Sequence, residues 1–301
     1  MNKRFFSILA GMCLCLVPGV ALAQMVGVIM PAADVPYYVA IQKELEADLA
    51  KQGLAVDMLV QRPAPNEMAW KNSTRKLMTL EAKAIVAYAA GTALAAMSET
   101  HDLPIVFCGV FDSAGVGLAG GNIAGVEAKV PLKVLVTHLR KMTNFTKLGV
   151  LFSSDEVDSV QQVEAVAGLG VSIVKIDAVM GASSIAFPRD IQAVLLTSAG
   201  VVQNVKAIAG IVEKARAAKI ATASVLGGCA EHGILISLAA STRQQAHEAA
   251  RMVSGVLQGA LPSSLPVVRG NKVELTVNLI EANALGLNVP FEVIATAKVI
   301  K

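Results

Sequence analysis

Short runs of β-branched and apolar residues alternate with longer segments of helical periodicity along most of this chain. The first such pair is a strand predicted over 25–30 and a helix predicted over 36–51, in which Leu45 and Leu49 recur near the helical period. A strand that alternates with helices in this way is buried on both faces of its sheet. The pattern therefore predicts an α/β fold of parallel sheets flanked by helices.

The alternation falls into two series, which predict two lobes. The first series has further strands at 55–60, 84–87 and 104–108, with helices over about 66–80 and from Thr92. The second has strands at 148–152, 171–176, 193–197, 220–224 and 234–238, with helices near 131–141, 157–169, 202–219 and 242–257. We predict one lobe over 24–128 plus about 239–270, and the other over 129–238 plus about 271–301. No low-complexity linker separates the series, so we expect several short crossings between the lobes.

The N-terminal segment has the form of a cleavable export signal. Lys3 and Arg4 precede an apolar stretch over 5–17, and small residues follow up to Ala23. The alternative is a membrane anchor, but the apolar stretch is shorter than the roughly 20 residues that a span requires. We therefore predict residues 1–23 as a signal peptide, cleavage after Ala23, and a mature protein in the periplasm.

Composition excludes several classes of protein. The chain is 54% hydrophobic and 16% charged, which is too apolar for a disordered protein. Without Lys3 and Arg4, the 26 basic side chains become 24 against 23 acidic ones, so nucleic acid is not a predicted partner. Two cysteines remain beyond the signal segment, Cys108 and Cys229. Cys108 ends an apolar run and is interpreted as a buried hydrophobe rather than as half of a disulfide.

No motif predicts a cofactor, a metal ion or catalysis. The string Gly115 to Gly120 matches G-x-G-x-x-G, but a β-like run follows it where a dinucleotide site needs a helix, so we interpret it as a glycine-rich loop between the lobes. Cys229 and His232 have the spacing of half a metal site, and the other histidines fall on separate helices or helix ends. The chain has neither a G-x-S-x-G nor an H-E-x-x-H string. We predict a protein that is not an enzyme.

Polar and aromatic side chains collect after the predicted strands, at the edge where open α/β sheets bind ligands. Singly, such hydroxyls and carboxylates are typical helix N-caps. Together they would line both sides of one cleft, where hydroxyls and helix amides suit a carboxylate and aromatic faces suit an apolar or cationic group. The candidate ligand-binding residues are Tyr37, Tyr38, Thr92, Phe111, Asp112, Ser153, Ser154, Thr197, Ser198 and Ser224.

Three segments resemble a known family. They are Leu-Pro-Ile-Val-Phe at 103–107 with Phe111-Asp112 after it, Gly-Asn-Ile-Ala-Gly-Val at 121–126, and the ending at 277–290. With Gly-Thr-Ala at 91–93, these segments are similar to bacterial ABC-transporter solute-binding proteins of the type I periplasmic-binding-protein fold, in the branch that includes aromatic amino-acid binders. The resemblance spans most of the chain after residue 23. Thr197-Ser198 departs from it, because relatives often carry there an aspartate that could hold a ligand ammonium.

The resemblance implies a two-lobed receptor that closes on a small molecule and delivers it to an ABC permease in the inner membrane. It implies no cofactor, and we expect a monomer. Thr92 and Asp112 would contact the ligand from the first lobe, and Tyr37 or Tyr38 would pack on its apolar part. One alternative is a ligand-sensing periplasmic subunit that regulates a membrane partner. The other is an enzyme on the same scaffold, which we disfavour because the predicted cleft lacks a histidine or paired carboxylates.

Overall fold

The computed structural model describes residues 23–301, in which thirteen strands and ten α-helices follow one another. The strands are β1 (Gln24–Ile29), β2 (Val56–Gln61), β3 (Ala84–Tyr88), β4 (Ile105–Val110), β5 (Ile123–Glu127), β6 (Lys147–Phe152), β7 (Ser172–Asp177), β8 (Ala193–Leu196), β9 (Ala221–Ser224), β10 (Ile236–Ala240), β11 (Val268–Arg269), β12 (Val273–Asn278) and β13 (Lys298–Ile300). The helices are α1 (Pro36–Lys51), α2 (Glu67–Thr79), α3 (Ala89–Glu99), α4 (Leu132–Met142), α5 (Val157–Ala167), α6 (Gly200–Gln203), α7 (Val205–Ala217), α8 (Thr242–Leu257), α9 (Leu279–Leu285) and α10 (Phe291–Ile294). Residues 1–22, and with them nearly all of the predicted signal peptide, lie outside the described part of the chain.

The strands form two sheets. The first has the order β11-β5-β4-β3-β1-β2 and is parallel throughout. The second has the order β13-β12-β10-β9-β8-β6-β7 and is parallel except for the antiparallel pair β10 and β12. The predicted α/β class with helix-flanked, mainly parallel sheets is confirmed. We call the first sheet with α1, α2, α3 and α8 the first lobe, and the second sheet with its helices the second lobe.

The sequence of each element explains where it lies. The central strands β3, β4 and β8 are wholly buried, which matches their continuous apolar sequences, whereas the edge strands β2 and β7 are partly exposed. Helix α1 begins at Pro36, whose missing N–H costs nothing in the first turn. It ends at Lys51, two residues before Gly53, which adopts a φ of +72°.

The chain passes between the sheets at three short segments. These are 128–131 after β5, Ser241 after β10, and 270–272 after β11. Between the second and third passages, α8 packs on α1 and on β4 and β5 of the first lobe. Parallel sheets that meet in this way bring the carboxyl ends of their strands toward one shared interface. The residue limits of the two lobes, 24–128 with about 239–270 and 129–238 with about 271–301, stay a prediction.

Three details differ from the sequence-based expectations. The helix predicted over 202–219 is two helices, because Asn204 is extended and its side chain accepts a hydrogen bond from the Ala207 N–H at 2.9 Å, which caps α7. Helix α3 begins at Ala89 rather than at Thr92. The glycine-rich loop joins β4 to β5 within one sheet and does not connect the lobes. Within 23–301, none of the helices combines the length and apolarity needed to cross a membrane.

Candidate functional site

A buried carboxylate joins the two lobes. Asp158, in the first turn of α5, accepts hydrogen bonds from the backbone N–H of Ala90 at 2.5 Å and from that of Phe111 at 2.8 Å. Both donors belong to the first lobe, at the start of α3 and just after β4, while α5 packs on β6 and β7 of the second. Asp158 is only 4% exposed. Because amides at a helix start favour negative charge, these two N–H groups form an anion-binding position that Asp158 occupies.

The backbone beside this contact is strained. Ala89 has a φ of +67°, and Asp34, whose carbonyl accepts a hydrogen bond from Val205 of the second lobe at 3.2 Å, has a φ of +54°. The left-handed conformation costs a non-glycine residue roughly 1–2 kcal/mol. Strain of this kind concentrates where a site holds groups in fixed positions. At Ala89 it sets the turn from which the Ala90 N–H reaches Asp158.

A second buried carboxylate belongs to Glu156, the residue directly before α5. Its oxygens accept hydrogen bonds from the N–H of Gly200 at 2.9 Å and, more weakly, from that of Val201 at 3.4 Å. Gly200 faces the first lobe, where a Cβ atom at this position would lie 2.7 Å from the Cβ of Ala32. Only glycine therefore allows the lobes to approach this closely here.

Both carboxylates are in surroundings that disfavour their charge. Burial raises the pKa of Asp158 to about 6, although its two amide donors act in the opposite direction. Burial raises the pKa of Glu156 to about 7, and the negative charges of Asp158 and Asp155 add to this effect. Within 23–301, no Lys, Arg or His nitrogen comes within 4.0 Å of either carboxylate. The lobe interface thus holds two acids without a basic partner.

Three tyrosines pack together beside these acids. The rings of Tyr37 and Tyr38 lie 5.4 Å apart, and those of Tyr38 and Tyr88 lie 5.6 Å apart. The Tyr88 hydroxyl donates to Oε1 of Gln42 at 2.9 Å, but the buried hydroxyls of Tyr37 and Tyr38 have no hydrogen-bond partner among residues 23–301. Burial raises the pKa of Tyr38, and the negative charges of Asp158 and Glu156 raise it further. Tyr37 also packs near Gly227 of the second lobe.

The second lobe contributes a layer of hydroxyl groups at the ends of β6, β8 and β9. The hydroxyls of Ser159 and Thr197 are 2.7 Å apart, and the Ser153 N–H donates to Ser159 at 3.0 Å. The N–H of Ser198 donates to Gln162 at 2.7 Å. The Ser224 hydroxyl donates to the carbonyl of Leu226 and lies within hydrogen-bond distance of the Gln203 amide.

The predicted site residues therefore fall into two groups. Eight of them are buried, namely Tyr37, Tyr38, Thr92, Phe111, Ser153, Thr197, Ser198 and Ser224. Of these, Tyr37 and Phe111 lie against residues of the second lobe. Thr92 lies inside α3, and its hydroxyl donates to the carbonyl of Tyr88 at 2.6 Å. Asp112 and Ser154 lie at the rim. Asp112 is bound to Lys129 at 2.7 Å and to the Gly115 N–H at 3.0 Å, which lower its pKa, and Ser154 is exposed.

An open crevice of about 680 Å³ runs along the interface on one side. The first lobe lines it with 32–34 and 62–65, and the second lobe lines it with parts of α6 and α7. Its charged side chains are Asp34, Arg62 and Lys206. The crevice marks where the two lobes separate at the surface.

Asp158 is not among the site residues predicted from the sequence. An acid in the first turn of a helix is ordinarily explained by its favourable interaction with the helix dipole. The two N–H groups that bind Asp158 lie 68 and 47 residues away along the chain, so the local sequence does not indicate them. The expectation that the interface lacks paired carboxylates was wrong, because Glu156 and Asp158 are both buried there. Glu156 follows β6 as Ser153 and Ser154 do, so the position after a strand that made these serines candidate site residues applies to Glu156 as well.

Comparison with known proteins gives the chain a family and a fold. The family model described as "ABC transporter substrate binding protein" matches residues 36–301. No curated protein sequence matches the chain. A conserved domain protein of Vibrio cholerae is 23% identical, with a TM-score of 0.86, over 93% of this chain and 100% of its own.

Two other solved structures carry named ligands. An ABC domain from Streptococcus pneumoniae in complex with L-Trp is 23% identical, with a TM-score of 0.83, over 91% of this chain and 100% of its own. A solute-binding protein of Bacillus halodurans with bound myo-inositol is 12% identical, with a TM-score of 0.60, over 88% of this chain and 97% of its own. At these identities the likeness shows the fold, which is the predicted type I periplasmic-binding-protein fold.

Proposed function

The chain belongs to the family of ABC transporter substrate-binding proteins, and we propose that it is a periplasmic receptor that captures a small organic solute between its lobes and delivers it to an ABC permease. The observation that carries this proposal is that the fully buried hydroxyls of Tyr37 and Tyr38 have no hydrogen-bond partner in the described part of the chain. Buried polar groups are normally hydrogen-bonded, and a few convergent polar groups in an apolar cleft are typical of ligand sites.

We propose that the lobes open and close about the three short passages between the sheets. Hydrogen bonds within the first lobe fix the residues that lie next to these passages. The Gln245 amide donates to the Glu127 carbonyl at 2.8 Å and accepts from the Gly109 N–H at 3.0 Å, while the Glu127 carboxylate binds Arg269 at 2.8 Å. Rotation would therefore be absorbed at 128–131, Ser241 and 270–272. A ligand that contacts both lobes favours the closed form through contacts made only in that form.

We propose Tyr37, Tyr38, Phe111, Ser153, Thr197, Ser198 and Ser224 as the residues around the solute, with Asp158 and Glu156 added. The two buried acids do not lead us to propose an enzymatic function. Backbone amides hold both carboxylates, and the hydroxyl nearest to Asp158 along α5, that of Ser159, is bound to Thr197 rather than to an acid. A sensing subunit would use the same cleft and differ only in its membrane partner.

The test compares two matched variants of neighbouring tyrosines. Tyr38→Phe removes a hydroxyl that has no protein partner, whereas Tyr88→Phe removes one that donates to Gln42. Thermal unfolding of the purified protein is measured with L-tryptophan, myo-inositol, sugars, nucleosides and amines. A ligand that binds only the folded protein stabilises it by about 2.7 kcal/mol at a hundredfold excess over Kd.

We expect at least one probe to raise the unfolding temperature of the unmodified protein and of Tyr88→Phe. Tyr38→Phe should bind that probe at least about 5-fold more weakly, the equivalent of one hydrogen bond of roughly 1 kcal/mol. Its stability without ligand should be unchanged or higher, while Tyr88→Phe should be less stable by about 1 kcal/mol. A protein that responds to no probe, or a Tyr38→Phe variant with full affinity, would contradict the proposal.

A further inference from the structure

We propose that the solute is a small organic cation, an amine without a carboxylate group. This inference rests on the proposed function and names the chemical class that the interface selects. It follows from three features of the lobe interface: an anion position that is already filled, two acids without a basic partner, and a surplus of hydrogen-bond acceptors.

The anion position of the first lobe is taken by the protein itself. The N–H groups of Ala90 and Phe111 point at one carboxylate, that of Asp158. A ligand carboxylate could reach these donors only by displacing Asp158. The displaced side chain would then be buried without its two donors, and a buried charge left unpaired costs several kcal/mol. The interface therefore disfavours acids and zwitterions that present a carboxylate here.

The charge balance of the interface favours a cation. Asp158 and Glu156 are both buried, and the negative charges of Asp155 and Asp112 help to raise their pKa values. Lys129 is bound to Asp112, and the crevice bases Arg62 and Lys206 are exposed. The pKa values of both carboxyls remain raised in spite of their amide donors, so these donors compensate only part of the cost of burying the charge. An ammonium group between the lobes would supply the missing positive charge.

The remaining polar atoms can accept the hydrogen bonds of an ammonium group. Within the described residues, the buried Oε1 of Gln161, one helical turn from Asp158 on α5, has no hydrogen-bond partner, and neither have the hydroxyls of Tyr37 and Tyr38. An ammonium group only donates hydrogen bonds, so it matches acceptors of this kind. The rings of Tyr37 and Tyr38 offer faces that attract a cation.

The experiment uses two series of probes that share an apolar part and differ in charge. The first series is phenethylamine, L-phenylalanine and 3-phenylpropionate, and the second is pentylamine, L-norleucine and hexanoate. Calorimetric titration of the purified protein should give an affinity for the amine at least about tenfold higher than for the amino acid or the acid of its series, a difference of about 1.4 kcal/mol. Myo-inositol and a nucleoside serve as neutral probes.

The outcomes separate this inference from the proposed function. If an acid, an amino acid or a neutral probe binds as tightly as the amines, the cation inference is wrong and the receptor function stands. If no probe of any class binds, the receptor function itself is wrong.

Two charge-matched variants locate the effect. Asp158→Asn removes the buried charge, and Asp190→Asn removes the same charge from an exposed residue that pairs with Lys147 on the surface of the second lobe. We expect at least a tenfold loss of amine affinity in Asp158→Asn and none in Asp190→Asn. Glu156→Gln provides a second test if Asp158→Asn does not fold, and it should weaken amine binding in the same direction. Full amine affinity in both buried variants would overturn the inference.

Discussion

Raising the pH from about 5 to about 8 should destabilise the ligand-free protein, because its two interface carboxyls must ionise while buried. Burial raises the pKa of Asp158 from 3.8 to about 6 and that of Glu156 from 4.5 to about 7. At a pH between the unfolded and the folded pKa values of these groups, the folded protein binds more protons than the unfolded chain. The stability contributed by the protonated groups is fully present below the unfolded pKa values and is lost as the pH rises through the folded ones.

The pKa differences set the size of the effect. Integrating both titrations from about pH 5 to about pH 8 gives a loss of roughly 4 kcal/mol if the two groups are independent. The two acids repel each other, so we take roughly 2–4 kcal/mol as the expected range, or a fall of about 4–8 °C in the unfolding temperature. His138 works in the opposite direction, since burial lowers its pKa and acid then costs stability. The lowered pKa values of Asp48 and Asp112 act only below 3.8, outside this range.

Thermal unfolding at constant ionic strength across this pH range measures the effect directly. In the double variant Asp158→Asn, Glu156→Gln the slope should largely disappear, whereas Asp190→Asn should retain it. An unfolding temperature that is constant or rises from pH 5 to pH 8 would refute the reasoning. So would a double variant that keeps the full slope.

Two further predictions concern packing and the thiols. Gly125→Ala should destabilise the protein by roughly 2–4 kcal/mol in urea unfolding, because the added Cβ would lie 2.3 Å from the Phe107 carbonyl oxygen, whereas Gly120→Ala has only ordinary contacts at 3.6 Å and should cost far less. Equal losses in the two variants would contradict this. Cys108 and Cys229 are buried free thiols whose pKa values burial raises, so iodoacetamide should modify them only in denaturant, as followed by peptide mass mapping. Modification of either thiol in the native protein would show that it is more accessible than the structure has it.

The parts of the fold that follow from local sequence were predicted well. The limits of α1 and α8 agree with the predicted 36–51 and 242–257, since Pro36, Gly53 and clear helical periodicity define them. Strands β1 to β4 and β6 to β10 were predicted to within two residues because continuous apolar runs mark them, whereas β5 was not predicted as a strand. The elements after residue 257 were not assigned. They are short, and β11 to β13 are partly exposed, so they lack the apolar runs on which the prediction depended.

The candidate site could be predicted only in part. The rule that ligands bind at the carboxyl ends of parallel strands led to Ser153 and Thr197, which the structure places in one hydroxyl layer, and their contact with a ligand stays a prediction. It did not lead to Asp158, because the significance of that residue depends on two amides in another lobe. Tertiary contacts of this range leave no periodic trace in the sequence.

The Asp158 contact also bears on how a solute would close the lobes. A ligand shifts the equilibrium between open and closed forms only by the difference in its affinity for them. In the open form Asp158 would be hydrated, whereas closure buries it against two amides that compensate its lost hydration only in part, as its raised pKa shows. Closure without a ligand is therefore opposed by this charge. A cation bound beside Asp158 would turn the same charge into a favourable ion pair that exists only between closed lobes, so the residue that opposes empty closure would favour closure with the solute bound.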